Sequence, residues 1–240
     1  MKQPKERGPA QDYLIFHPAR TVFQASGTAR VAGQEGEWAG QLWADRTTPE
    51  GTSNEDPFIC TDFWLYSYCH ATQLRRRAQP LPFVQRGSRL FFCEAAAAKK
   101  GFLQVDTVFK VAYDLPWEPP GHIPDAFLYL DDESPEWRRH LRHGTELPGS
   151  DGAHVGRFTY VAEMGGASFL PLSADRRPVS TSAAGVSRRL RTTVLSANPH
   201  GRGSYPVPID VGEAHFLYAT LWQSHTCVIA VNPDGYPIEV

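Results

Sequence analysis

The sequence predicts an α+β protein: a curved or barrel-like antiparallel or mixed β-sheet carrying a few short helices. Runs that alternate apolar and polar residues outnumber runs with a helical period. Twenty glycines and twenty prolines, scattered through 240 residues, cut the chain into short elements. The regular strand–helix alternation that builds a doubly wound parallel sheet does not occur.

Taken in order, residues 1–12 are polar and read as a frayed, disordered tail, which leaves 13–240 as one domain. TTPEGTSNEDP (47–57) is a loop of turn residues. DFWLYSYCHATQLRRR (62–77) is a helix candidate, because Leu65, Cys69 and Thr72 share a helical face. Its arginines fall at the C-terminal end, where positive charge suits the helix dipole. RLFFC (89–93) reads as a strand entered through the turn-like RGS. FLQVDTVFKVAY (102–113) is the strongest strand. Alternation puts Val105, Thr107, Phe109, Val111 and Tyr113 on one face, and Gln104, Asp106 and Lys110 on the other. Val105, Phe109 and Val111 are therefore expected in the core.

WEPPGHIPD (117–125) and GTELPGSDG (144–152) are further loops. Between them SPEWRRHLRHG (134–144) has Ser134 as N-cap, Pro135 at the first helical position and Gly144 just past the end. RFTYV (157–161), HFLYATLW (215–222) and TCVIAV (226–231) read as strands, the last two joined by QSH into an antiparallel hairpin. VSRRLRTTVL (186–195) is a short helix or a strand, with Val186, Leu190 and Val194 favouring the helix. NPDGYPIEV (232–240) is a turn followed by an extended tail.

Composition narrows the function classes. The apolar and charged fractions, 41% and 21%, are those of an ordinary globular protein. With 24 basic and 26 acidic residues the net charge is -2, so attraction to nucleic acid has to come from a local patch. No apolar run approaches the roughly 20 residues that span a bilayer, and the N-terminus lacks the apolar core of a secretory signal. Cys60, Cys69, Cys93 and Cys227 are widely spread without a CxxC, which suits reduced thiols in a cytoplasmic protein. No cofactor motif and no internal repeat appears.

The stretch ICTDFWLYSYCHATQLRRRAQ (59–79) concentrates the chemistry. A zinc site is not expected. Cys60 and Cys69 are nine apart, and the adjacent Cys69 and His70 point to different helical faces. Cys60 just ahead of a helix would be favourably placed for a thiolate nucleophile, with His70, His200 or His215 as base. Against this stands the tendency of free cysteines to be buried core residues.

Nucleic-acid recognition is the stronger reading. Arg75, Arg76, Arg77, Arg86 and Arg89 put five positive charges within fifteen residues, and Trp64, Tyr66 and Tyr68 offer flat rings. A second basic cluster, Arg188, Arg189 and Arg191, precedes the Gly-rich loop NPHGRGSYP, which bears His200 and Arg202. In this reading the Arg75–Arg77 triplet holds phosphate, an aromatic stacks on a base, and Asp106 accepts hydrogen bonds from a base edge. The plainer alternatives are a solvated charge run, a packed aromatic core and an Asp106 paired with a neighbouring cation. The expected protein is a non-catalytic module binding nucleic acid or a nucleotide. Its rivals are a small nucleotide-processing enzyme and a protein–protein adaptor.

A resemblance joins these residues. DPFICTDFWLYSYCHATQLRRRA, then RGSRLFF, then GFLQVDTVFKV resembles the layout of the nucleotide-modification-associated (Nmad-type) proteins. Its continuation is similar to the PUA/ASCH/EVE-like small-barrel folds. The matching positions are Pro57, Phe58, Cys60, Thr61, Cys69, Arg75 to Arg77, Gly87, and Val105 to Val111. They span roughly residues 56–113, under a third of the chain, and Ser88 stands where an aspartate or asparagine is expected. The resemblance implies a PUA-like pocketed barrel that handles a nucleotide or modified base in a bacterial or phage setting. It implies no demonstrated reaction.

Overall fold

The computed structural model describes residues 10–17, 20–31, 34–45, 57–60, 64–67, 84–116, 158–173, 178–182, 190, 206–224, 229–231 and 237–239. At its centre lies a long strand, Phe102–Pro116, the run in which alternation is strongest. The other strands, in chain order, are β1 (Asp12–His17), β2 (Arg20–Val31), β3 (Gln34–Asp45), β4 (Phe58–Cys60), β5 (Trp64–Ser67) and β6 (Arg89–Glu94). After a short helix α1 (Ala95–Lys99) the long strand is β7, followed by β8 (Phe158–Ala162), β9 (Val179–Ser182) and β10 (Val207–Ile209). Helix α2 (Val211–Ser224) and a separate two-stranded sheet of β11 (Ile229–Val231) and β12 (Pro237–Glu239) complete the described elements.

The large sheet is mixed, in the order β10-β1-β6-β7-β8-β5-β4-β3-β2, with β9 also paired to β7. β1 and β6 run parallel; the remaining described pairs are antiparallel. The α+β character predicted from the sequence is therefore present. Among the described residues the sheet does not close into a barrel: β10 lies at one end of its order and β2 at the other. No described helix is long and apolar enough to cross a membrane.

Every residue of β1 is buried, because the sheet is covered on both faces. On one face Leu14, Phe16, Phe91, Cys93, Leu103, Val105 and Val108 pack with Ala214, Leu217 and Leu221 of α2. The other face gathers Tyr13, Ile15, Leu90, Phe92, Phe109 and Val111 with Trp64 and Tyr66 of β5 and Tyr160 and Ala162 of β8.

Four expectations are corrected here. First, Val105 does not share a face with Phe109 and Val111, although all three are fully buried. Phe92 faces Thr107 while Cys93 faces Val105, so Asp106 is an extra residue on β7. Such a β-bulge switches the parity of the residues that follow, and apolar alternation passes through it unmarked; a second irregularity lies between Val111 and Tyr113, and Tyr113, expected on the core face, is 51% exposed.

Second, the helix expected over 62–77 does not form at its start. Phe58 pairs with Leu65 and Ile59 with Trp64 in an antiparallel β4–β5 ladder. Trp64 and Tyr66, two apart, are both buried in the same cluster, so the strand period outweighs the helical spacing of Leu65. Third, 215–222 is helical, within α2. Asp210 caps it: its Oδ1 accepts from the Gly212 N–H at 2.9 Å, and its carbonyl accepts from the Ala214 N–H at 2.8 Å. Ala214, Leu217, Tyr218 and Leu221 then follow at helical spacing against the sheet. The strand in 226–231 exists as β11, but its partner is β12. Fourth, residues 10–12 are held and not frayed. Asp12 opens β1, and Gln11 Nε2 donates to the Ile209 carbonyl at 2.6 Å.

The strands predicted in 89–93 and 102–113 form, as does the one predicted in 157–161 over its described residues from Phe158. The RGS turn does too: Gly87 takes φ 87°, Ser88 N–H donates to the Gln85 carbonyl, and Gly87 N–H donates to the Val111 carbonyl. The loops at 117–125 and 144–152 and the helix at 134–144 lie outside the described residues, as does 186–195 apart from Leu190.

Candidate functional site

Trp64 and Tyr66, expected to stack on a base, are 1% and 0% exposed. Tyr66 meets Phe92 edge-on at 5.0 Å between ring centroids and stacks on Tyr160 at 6.4 Å. Both residues belong to the core and present no open face at the surface; the Trp64 Nε1–H is buried without a hydrogen-bond partner among the described residues.

Asp106, expected on a solvated strand face, is 2% exposed. Both faces of the sheet are covered there, so no face of the strand is left to solvent. Its Oδ1 accepts from Thr107 Oγ1 at 2.8 Å, and its Oδ2 lies 2.9 Å from Nε2 of the equally buried His17. His17 was not singled out in the sequence; one of nine histidines at the end of a strand carries no local signal. Cys60 ends β4 opposite Gly40 of β3, in a strand and not ahead of a helix. Tyr68, Cys69, His70, Arg75, Arg76, Arg77, His200 and Arg202 lie outside the described residues.

A second constellation forms on the α2 face. Asp12, Arg89, Lys110 and Glu163 make a row across β1, β6, β7 and the end of β8. Arg89 N–H donates to Asp12 Oδ1 at 2.6 Å, and its guanidinium holds Oδ2 through Nη2 at 2.8 Å and Nε at 3.2 Å. Lys110 stands directly opposite Arg89 across the β6–β7 ladder, and its Nζ donates to Glu163 Oε1 at 2.8 Å. Like charges facing each other on adjacent strands repel; here each cation has its own carboxylate on the outer side, giving a sequence of signs − + + −. Exposure rises along the row: the side chains are 5% (Asp12), 15% (Arg89), 31% (Lys110) and 44% (Glu163) exposed.

Helix α2 covers this row with Tyr218, and Trp222 lies one turn further along the helix, stacked on Tyr218. Their rings are parallel to within 2°, with centroids 6.4 Å apart, and Phe169 meets both edge-on. The Arg89 guanidinium sits 5.5 Å from the Tyr218 ring centroid, a cation–π contact. Tyr218 Oη donates to the Gly166 carbonyl at 3.3 Å. Gly165 and Gly166 have φ of 74° and 88°, so the turn beneath the helix requires glycine twice. Burial pushes the Tyr218 phenol above its usual pKa of 10.0, and Lys110 and Arg89 offset part of that rise. Trp222 leaves 42% of its surface open.

Among the described residues the donor inventory of the row is unfilled. Arg89 has five N–H groups and Asp12 takes two, which leaves the end-on fork of Nη1 and the outer Nη2–H without a partner among the described residues. Lys110 Nζ has one described partner for three N–H groups. Such a fork accepts two oxygens of a phosphate or carboxylate in parallel. Sequence reading missed Lys110, Tyr218 and Trp222 as site residues, because the row exists only after four distant segments pair. Comparison with family models, with curated proteins and with solved structures yields no match for this chain.

Proposed function

We propose that this protein is a non-catalytic module that binds nucleic acid or a nucleotide, with a phosphate on the Arg89–Lys110 couple and a base against the exposed face of Trp222. One observation carries the reading: two adjacent cations, with N–H donors unpartnered among the described residues, lie beside Tyr218, which stacks on the partly open Trp222, in a protein of net charge -2. Phosphate recognition favours the arginine fork, and base stacking tolerates any sequence. The Arg75–Arg77 triplet supplies further phosphate contacts in this proposal. The PUA-like assignment, the modified-base ligand and the bacterial or phage setting are proposed on the sequence resemblance alone.

The rivals are less well supported. The described His17–Asp106 pair has the composition of an acid–base couple, yet both side chains are 2% exposed, which closes them to a substrate. Val211 and Phe216 expose apolar surface suited to an adaptor, but singly exposed apolar residues are ordinary. Fluorescence anisotropy with labelled DNA, RNA and nucleotides across a salt series separates the three. Affinity should fall linearly in log salt, with a slope of about 0.7–0.9 per phosphate contact. Replacing two of Arg75, Arg76 and Arg77 should flatten that slope by about one to two units. Trp222→Ala should weaken binding by roughly 1–3 kcal/mol with little change of slope. Absence of binding above background at low salt would end the reading.

A further inference from the structure

Resting on that reading, we infer that the Arg89–Lys110 couple takes a phosphate monoester, the terminal group of a free nucleotide or of a phosphorylated strand end, and not the diester of a strand interior. A carboxylate flanks the couple at each end. Asp12 bounds it on one side and Glu163 on the other, so one phosphate fits along the row and the next in a continuing backbone would meet a carboxylate. The perpendicular path is closed on the turn side. There Tyr218 Oη is bonded to the Gly166 carbonyl and Phe169 packs against the Tyr218 and Trp222 rings.

Donor number points the same way. A monoester offers three free acceptor oxygens, and a diester only two. The end-on fork of Arg89 can hold two oxygens while Lys110 takes the third. Arg89 is fixed in advance by three hydrogen bonds to Asp12. Lys110 is the adjustable partner, because its pairing with the 44% exposed Glu163 is the weak, water-screened kind that a stronger anion displaces.

Titration calorimetry on the full chain tests this with five pairs of probes and two variants. Each nucleoside 5′-monophosphate (adenosine, guanosine, cytidine, uridine) is compared with its 3′,5′-cyclic form, which is a diester on the same base. In parallel, one oligonucleotide is compared with and without a 5′-phosphate. The expected result is at least tenfold tighter binding of the monoester. A preference in the mononucleotide pairs alone identifies a free nucleotide, and one in the oligonucleotide pair a strand end. Lys110→Gln, at a partly exposed position, should abolish the preference while the thermal midpoint stays near that of the parent. Trp222→Phe should weaken monoester and cyclic form alike. Equal binding of both oligonucleotides and of both mononucleotide forms overturns the monoester inference and leaves the binding reading standing. A monoester preference that survives Lys110→Gln also overturns it, by moving the site elsewhere. No binding of any probe removes both.

Discussion

Asp106 illustrates how much one residue can carry. Its carboxylate is sealed in the sheet interior with Thr107 on one oxygen and His17 beside the other. A buried pair contributes little net stability over apolar residues of the same size, but breaking it strands a charge or a dipole. Asp106→Ala should therefore cost about 3–5 kcal/mol in a denaturant titration. A companion His17→Phe/Asp106→Ala variant should lose less than the two single changes combined. A single variant whose midpoint matches the parent's would show that the pair is not sealed. Tyr218 makes a second, gentler statement. Its phenol is raised above 10.0 by burial, so the folded state keeps it neutral where the unfolded chain begins to ionise it. That contribution is fully present below pH 10 and is lost as pH rises through the folded-state value. Tyrosinate absorbance should show a late-ionising component that disappears in Tyr218→Phe; an unchanged titration curve would contradict the burial argument.

At the level of elements, the strand β7 was legible and its facing was not. Twelve of its fifteen residues were anticipated as a strand, because β-branched and aromatic residues recur through it. Only the partner strand reveals that Asp106 is an extra residue, since a bulge is defined by two residues facing one. This has a measurable consequence. Val105 and Phe109 sit in separate core clusters on opposite faces, so Val105→Ala and Phe109→Ala should be additive within about 0.5 kcal/mol. Phe109→Ala alone should cost about 3–5 kcal/mol. A large coupling energy in the double variant would put the two side chains back on one face. Helix α2 was misread for a different reason. Its run of Phe216, Leu217, Tyr218 and Trp222 has strand-like composition, while the deciding signal, Asp210 followed by Glu213 in the first turn, lies just before it.

Across the whole molecule, the sheet-rich α+β class was readable from punctuation and alternation, whereas the candidate site was not. Asp12, Arg89, Lys110 and Glu163 are ordinary charged residues in sequence, and only the order of the strands makes them neighbours. The aromatics that looked most available, Trp64 and Tyr66, proved to be the interior of the sheet, because large rings contribute most to stability when buried.

The position of β1 has a consequence for the birth of this protein. The strand lies between β6 and β10, and Gln11 reaches across 198 residues to bond Ile209. At a synthesis rate of roughly 5–20 residues per second, that gap lasts about 10–40 s on the ribosome. Throughout it a strand with four consecutive apolar residues waits with its β10 edge unmatched, open to any passing chain with a free edge of its own. The nascent protein therefore depends on whatever shields that edge until the last quarter of the chain emerges. Overproduction that outruns such shielding should yield inclusion bodies before it yields folded protein.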